Sequence, residues 1–367
     1  MGIAVYGAAG FLGRLVADRL AALGVEAVLV GRNREAIERL AASRPSTRFG
    51  VAPVDDAAAL GRAFDGCPVV INCAPAEACG EPIVRATLAA RSHYVDAAGE
   101  QAHIRRLFDT FSDEAVRRGV AILPAVGFDY AIGDCLARLA ASSHEPAEEV
   151  TVAYSIEGSE VSGNSAQAAA TTTPGQEVVY RGQRWTRVPF ELDRASFDFP
   201  APVGRRQMSR YGSGEVITVP RHTKTRSVRT LITAQSLCPH PVLLPIFPVL
   251  RPLIGLARRT PARAILGVAA RLAARSGPTT PAVRDQPRRF MIAAEARGLD
   301  GSMGRAVAAG GDFHAITAVL LVQAAVWLNG GHGGGVFSAA SAFRPESLLE
   351  TLTAHGVRWS TDSRVRR

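Results

Sequence analysis

The amino-acid sequence predicts an α/β protein: a doubly wound parallel sheet carrying an inserted second α+β domain on an antiparallel or mixed sheet. Three observations predict it. Strand-sized apolar runs alternate with helix-sized amphipathic runs through the first 140 residues, and parallel crossovers need helix-length connections. A glycine-rich turn joins the first strand to the first helix. After about residue 145 the alternation gives way to short strands and hairpin signals.

The elements follow in order. Gly2–Tyr6 reads as a buried strand, and Phe11–Leu23 as a helix with Leu12, Leu15, Val16, Leu20 and Leu23 at helical spacing, stopped by Gly24. Ala27–Val30, Arg48–Val51, Val69–Asn72, Tyr94–Val95 and Ala121–Leu123 read as further strands. Arg34–Ala42, Ala57–Phe64, Glu81–Ala90 and Ala102–Arg118 are the intervening helices, and another helix is expected after Gly133. In the second part, Val150–Ile156, Glu215–Val219 and Ser227–Ala234 read as strands. Glu177–Arg181 and Trp185–Val188 form a hairpin around Gly182, and Phe290–Ala296 and Met303–Ala309 form another around Asp300-Gly301. Helices are expected over Val242–Arg258, Pro261–Arg275, Phe313–Leu328 and Pro345–His355. Ser276–Arg288 reads as a surface loop, and Gly330–Gly335 as a flexible connector. The expected domains are 1–140, 141–310 and a C-terminal segment, 311–367.

Gly7-Ala-Ala-Gly10-Phe-Leu-Gly13 follows a strand and opens a helix, the frame of a Rossmann-type dinucleotide site. Gly7 permits the turn, Gly10 lets backbone approach a pyrophosphate, and Gly13 lets helix pack on strand. Phe11 and Leu12 contribute N–H groups at the helix N-terminus, where the dipole favours phosphate. The second strand ends in Gly31-Arg32-Asn33-Arg34, where NAD enzymes usually carry a carboxylate for the ribose 2′-hydroxyl. Guanidinium groups at that place suit a 2′-phosphate, so NADPH/NADP+ is the expected cofactor. Arg32 and Arg34 also read as solvated charges. Asp55 either meets the adenine edge or, like Asp56, caps the next helix.

In open α/β sheets ligands bind beyond the C-terminal strand ends. Asn72, Cys73, Ala74, Gly99, Gly127 and Phe128 lie at such ends and are expected to border the cofactor. Tyr94, Asp96, Asp129 and Tyr130 are the candidates for proton transfer, with Tyr130 foremost because a neutral phenol can donate a proton. Each has a structural alternative: Asn72 satisfying loop backbone, Asp96 and Glu100 capping the helix near Ala102, Asp129 capping the helix after Gly133, Tyr130 lining a pocket. Lys224 is the only lysine and Pro220 stands four residues before it, which excludes a Tyr-x-x-x-Lys mechanism. His93, His103, His314, His332 and His355 have no metal-site spacing and read as structural. No Gly-x-Ser-x-Gly elbow occurs. What remains is hydride chemistry supplied by the cofactor.

The formal charge is +9, almost all of it arginine, as a GC-rich coding bias would produce. The arginines are scattered, so nucleic acid is not an expected partner. Five cysteines without a CxxC pair fit a reducing cytoplasm. The apolar stretch Pro241–Leu256 holds four prolines and Arg251, too broken for an integral membrane span. It suits a packed helix or the wall of a site for an apolar substrate. A homodimer is compatible with the sequence.

Taken together, the motifs resemble the saccharopine dehydrogenase-like NADP-binding family, in particular its trans-acting enoyl reductase branch. The resemblance rests on Gly7–Gly13 followed by Arg14-Leu-Val, Leu29-Val-Gly-Arg-Asn33, Gly80-Glu-Pro82, His93-Tyr-Val-Asp96 with Gly99-Glu100, and Leu123–Asp129 with Asp134-Cys-Leu. It extends to Gly214–Arg221 and Ser341-Ala-Phe343. It implies NADPH, a cleft between the nucleotide domain and an inserted domain, a C-terminal segment returning to the first domain, and reduction of a C=C or C=N bond in lipid, polyketide or secondary metabolism. The substrate would be apolar or carrier-bound. This chain departs from the family at Pro75, where Gly-Pro-Phe is usual, and at Tyr130 and Ile132, where a small residue and a proline are expected. A noncatalytic NADP(H)-binding sensor or scaffold is the alternative reading.

Overall fold

The computed structural model describes residues 2–158, 177–188, 195–237 and 288–362. The first compact unit comprises Met1–Ala131 and His314–Arg344. Its strands and helices alternate: β1 (Ile3–Tyr6), α1 (Phe11–Ala22), β2 (Ala27–Gly31), α2 (Arg34–Ala42), β3 (Thr47–Val51), α3 (Ala57–Phe64), β4 (Val69–Asn72), α4 (Ala76–Ala89), β5 (His93–Asp96), α5 (Gln101–Arg118), β6 (Ala121–Leu123) and the first turn of α6 (Phe128–Ala141). A seventh strand, β15 (Gly335–Val336), joins β6 in parallel. The sheet order is β15-β6-β5-β4-β1-β2-β3, and every pairing is parallel. β1 and β4 are therefore neighbours at the point where the strand order reverses, which is where a crevice for a ligand opens.

Strands β1, β2 and β4 are buried at every position, as expected of parallel strands covered on both faces. Phe64 and Phe111 on helices and Tyr94 on β5 are fully buried in the core between sheet and helices. Each such aromatic contributes ~2–3 kcal/mol of hydrophobic stabilisation.

The second unit comprises Ile132–Phe313 and Pro345–Arg367. Its nine-stranded mixed sheet contains β7 (Ala147–Glu157), β8 (Val178–Arg181), β9 (Arg184–Arg187), β10 (Ala195–Asp198), β11 (Arg205–Arg210), β12 (Thr225–Thr233), β13 (Arg289–Gly298), β14 (Met303–Gly311) and β16 (Arg358–Thr361). The order is β10-β11-β12-β7-β13-β14-β16, with β8 on β12 and β9 on β8. Only β12 and β7 pair in parallel among the described strands; the other pairings are antiparallel. Phe197, Phe199, Met208, Leu231 and Met291 form a buried cluster on this sheet. Short helices α7 (Glu215–Thr218) and α8 (Ala234–Leu237) follow β11 and β12. The chain then adds α9 (Phe313–Asn329), α10 (Ala339–Ala342) and α11 (Pro345–Thr353).

Several expectations are corrected. Glu215–Val219 is helical, continuing into a 3-10 turn over Val219–Arg221. Its β-branched run favours a strand, but tertiary partners override that propensity. Glu215 is buried and accepts a hydrogen bond from the Tyr154 hydroxyl, while the Val216 carbonyl accepts from the Trp185 indole at 2.9 Å. The helix expected after Gly133 begins at Phe128, so Asp129 lies in its first turn and does not cap a later helix. The fourth helix starts at Ala76, not Glu81, and accommodates Pro82. Gly335 in the expected connector belongs to the parallel sheet. The 311–367 segment divides between the two units, and the first unit boundary falls within α6, between Ala131 and Ile132. The helices expected over 242–258 and 261–275, the apolar stretch 241–256 and most of the 276–288 loop lie outside the described residues. Among the described residues no helix is long and apolar enough to cross a membrane.

Candidate functional site

The glycine turn is built as its sequence requires. Gly7 has φ +76°, and a Cβ there would lie 2.9 Å from the Ala74 nitrogen in the loop after β4. A Cβ on Gly13 would lie 2.3 Å from the Gly7 carbonyl oxygen and 2.6 Å from Ala8 Cα, so only glycine lets α1 approach the turn this closely. Gly10 caps α1 without any side-chain hydrogen bond, and the first turn carries no acidic residue. The helix N-terminus therefore presents N–H groups and a positive dipole end with no acidic side chain in its own first turn, which fits a phosphate. Phe11 and Leu12 open this helix, and Phe11 is 58% exposed.

At the end of β2, Arg32 and Arg34 are exposed, as the role of a 2′-phosphate clamp requires. Asn33 is occupied as the N-cap of α2, its side-chain oxygen accepting the Ala36 N–H at 3.0 Å. Asp56 caps α3 by accepting from Ala59 N at 2.8 Å, and Asp55 remains exposed beside it.

The ends of β4, β5 and β6 are fastened to one another through a single buried carboxylate. Asp96 Oδ1 accepts from Ala98 N at 2.9 Å and from Ala125 N at 3.1 Å. Asp96 Oδ2 accepts from the Tyr94 hydroxyl at 2.8 Å and lies 2.8 Å from His103 Nε2. The Tyr94 hydroxyl accepts from Asn72 Nδ2 at 3.0 Å, and Asn72 Oδ1 accepts from Ala74 N at 3.0 Å. One chain of hydrogen bonds thus sets the loops holding Asn72–Ala74, Ala97–Gly99 and Pro124–Gly127. Ala125 adopts φ +61°, a conformation that non-glycine residues hold only when their surroundings enforce it; such residues gather at functional sites.

Asp96 does not cap α5, and the Glu100 side chain makes no capping bond. His103, which reads as an ordinary structural histidine in the sequence, is the fourth partner of Asp96. Burial lowers its pKa and the neighbouring Asp96 carboxylate raises it, with a net shift upward. Burial and Asp96 together hold the Tyr94 phenol well above its ordinary range, and burial, then Asp96, pushes the Cys73 thiol up to about 12. Both groups stay protonated at neutral pH. Tyr94 and Asp96 are buried, which suits positioning better than contact with reactants.

Asp129 and Tyr130 are different: both are only partly buried, in the first turn of α6. Burial of its carboxyl raises the pKa of Asp129 to about 7, a rise that hydrogen bonds from the Tyr130 backbone and side chain oppose and the Glu100 charge reinforces. The Tyr130 ring lies against Gly99, where a Cβ would meet its Cζ and hydroxyl at 2.0 Å. A Cβ on Gly127 would lie 2.9 Å from Asp129 Oδ1. The Phe128 N–H donates to Thr317 Oγ1 on α9 at 3.1 Å. Gly99, Gly127 and Phe128 therefore frame the Asp129–Tyr130 pair.

The fold and this glycine turn define a Rossmann-type dinucleotide-binding protein. Residues 3–123 match the family model of the saccharopine dehydrogenase NADP binding domain. The N-terminal third of the chain is thus a saccharopine dehydrogenase-type NADP-binding domain, and its cofactor is NADPH/NADP+. A Mycobacterium tuberculosis protein named as a trans-acting enoyl reductase is 35% identical over 137 residues, which are 35% of this chain and 32% of that protein. A human saccharopine dehydrogenase-like oxidoreductase is 29% identical over 146 residues, 35% of this chain and 34% of that one. The matches span about a third of the length of these relatives. Among solved structures, the saccharopine dehydrogenase (L-Glu forming) of Saccharomyces cerevisiae aligns with a TM-score of 0.65 at 13% identity, covering 98% of this chain and 99% of that one. At that identity the likeness is one of fold, and it extends beyond the matched domain.

Proposed function

We propose that the protein is an NADPH-dependent reductase of an activated double bond, an enoyl C=C or an imine C=N, acting in lipid, polyketide or other secondary metabolism on an apolar or carrier-bound substrate. The observation that carries this reading is the Asp129 carboxyl, raised to about 7 beside the Tyr130 hydroxyl at the C-terminal edge of an NADP-binding sheet. NADPH, when bound, supplies hydride. Hydride addition to a polarised double bond leaves an anion that needs a proton. An acid with a pKa near neutrality holds that proton at working pH and releases it readily. On this reading the leading role passes from Tyr130, foremost in the sequence, to Asp129, with Tyr130 donating to the carboxylate that remains. Tyr94, Asp96 and His103 then act as positioning residues.

The test is NADPH consumption with an enoyl thioester and with a cyclic imine, in wild type, Asp129→Asn and Tyr130→Phe. Asp129→Asn is expected to lower kcat ~100-fold with NADPH binding intact, and Tyr130→Phe to lower it less. Unchanged kcat in both variants would assign the proton to solvent. NADPH binding without turnover of either substrate class would favour the noncatalytic sensor or scaffold.

A further inference from the structure

The C-terminal segment brings one residue to the glycine turn that its sequence position does not announce. His314, in the first turn of α9, packs its imidazole against the Phe11 ring, with centroids 4.9 Å apart and planes at 83°. Phe11 is the residue immediately after Gly10, at the uncapped N-terminus of α1. One turn further along α9, the buried Thr317 accepts the Phe128 N–H at 3.1 Å. The first two turns of α9 therefore touch the first residue of α1, just after the glycine turn, through His314 and the first residue of α6, just after the β6 loop, through Thr317. A doubly wound sheet binds one mononucleotide half of its ligand on β1–β3 and the other on β4–β6, with the diphosphate over the first helix. A side chain packed on Phe11, on a helix whose next turn is bonded to Phe128 after β6, borders the diphosphate on the side of the nicotinamide half, not the adenine half.

We infer that His314 is a cofactor-binding residue, donating an imidazole N–H to the nicotinamide-side phosphate of bound NADP(H). The inference rests on the NADP-binding assignment of the domain. The chemistry suits the position. An imidazole is a directional donor whether neutral or charged, and its bond to a phosphate oxygen is charge-assisted. The Phe11 ring fixes the imidazole plane, and the Thr317 contact seats the helix that carries it. α9 thereby gives the C-terminal segment a binding role as well as a packing one.

The experiment is calorimetric titration of the full chain with NADPH and with 2′,5′-ADP, which carries the 2′-phosphate and the adenine-side phosphate only. His314→Ala is expected to weaken NADPH about tenfold and to leave 2′,5′-ADP within about twofold of wild type. His314→Phe keeps an aromatic ring on Phe11 but has no donor, so it is expected to lose as much NADPH affinity as His314→Ala. Recovery of NADPH affinity in His314→Phe would show that the ring only packs, and would overturn the inference. Equal losses for both ligands would place the effect in the glycine turn and overturn it as well, as would no loss for either. A wild-type protein that binds neither ligand would overturn the cofactor assignment, a different result from all of these.

Discussion

Each compact unit of this protein buries a histidine against an aspartate at 2.8 Å: Asp96 with His103 in the first, Asp134 with His222 in the second. The local chemistry is nearly the same, and the surroundings differ. Asp96 sits where parallel strands end and spends its remaining acceptor capacity on Ala98 N, Ala125 N and the Tyr94 hydroxyl, so it positions three loops. Asp134 sits within α6 and accepts from Thr218 Oγ1 at 2.6 Å, while Arg138 donates to the His222 carbonyl at 2.9 Å, so it fastens a helix to the turn after α7. A buried His–Asp contact does not by itself mark a site. Its place on the sheet topology, and the backbone it holds, separate a pair that frames an opening from one that only joins two elements.

The comparison breaks hardest at the glycine turn. Gly13→Ala forces a Cβ onto the Gly7 carbonyl oxygen and Ala8 Cα, both backbone atoms with no freedom to move aside. NADPH affinity is expected to fall ~100-fold or more, with a loss of stability beyond the ~1–3 kcal/mol typical of overpacking. Fluorescence titration and thermal melting measure both. An alanine variant with wild-type NADPH affinity would mean that the turn does not carry the pyrophosphate.

The two aspartates themselves sharpen the contrast. Removing either leaves a buried histidine without its carboxylate, and each Asp→Ala variant is expected to lose about 3–5 kcal/mol in denaturant unfolding. Only Asp96→Ala should also weaken NADPH, because only Asp96 holds the loops after β4, β5 and β6. If Asp134→Ala weakened NADPH equally, the division of labour between the pairs would be wrong. The His103 pKa is raised on folding, so its contribution is complete below the unfolded value and is lost as pH rises through the folded one.

Asp129 gives a smaller effect with a pH signature. A carboxyl raised to about 7 is more protonated in the folded state than in the unfolded chain between about pH 4 and pH 7. Stability therefore falls as pH rises across that window, and Asp129→Asn should flatten the profile. The same protonation makes kcat fall above about pH 7 in wild type, a limb expected to vanish in Asp129→Asn together with ~100-fold in rate. A limb that survives the substitution belongs to another group.

The legibility of the sequence follows the same division between the units. Arg34–Ala42, Ala57–Phe64, Val69–Asn72 and Ala121–Leu123 are readable to the residue, because parallel strands buried on both faces are continuous apolar runs and their helices are amphipathic. In the second unit, β10, β11 and β16 escape notice: Arg205–Arg210 and Arg358–Thr361 carry too much charge and polarity for an apolar pattern. The two-residue β15 leaves no periodicity at all. The glycine turn is local and therefore visible. The roles of His103 and His314 depend on partners that the chain reaches only by folding, Asp96 through the first turn of α5 and Phe11 from the far end of the sequence. Tyr94 and Asp96 are legible as polar groups at a strand end, but their burial is not.

The smallest expected effect concerns the exposed end of β2. Arg32 and Arg34 are both solvent-facing, and Asn33 between them is committed to capping α2, so the two arginines are the cations this turn offers to a 2′-phosphate. Exposed charges gain little from each other, but a guanidinium meeting a dianionic phosphate through paired hydrogen bonds forms a stronger, charge-assisted contact. We expect wild type to prefer NADPH over NADH by at least about tenfold, ~1.4 kcal/mol. Arg32→Ala should remove most of that preference by weakening NADPH while leaving NADH affinity unchanged, because NADH has no phosphate for the lost guanidinium to meet. Raising the salt concentration should erode the preference in wild type and do little in Arg32→Ala, since screening acts on the exposed ion contact. A preference that persists in Arg32→Ala and disappears in Arg34→Ala would move the contact to the first residue of α2. Equal affinity of wild type for the two cofactors would show that neither arginine reads the 2′-phosphate.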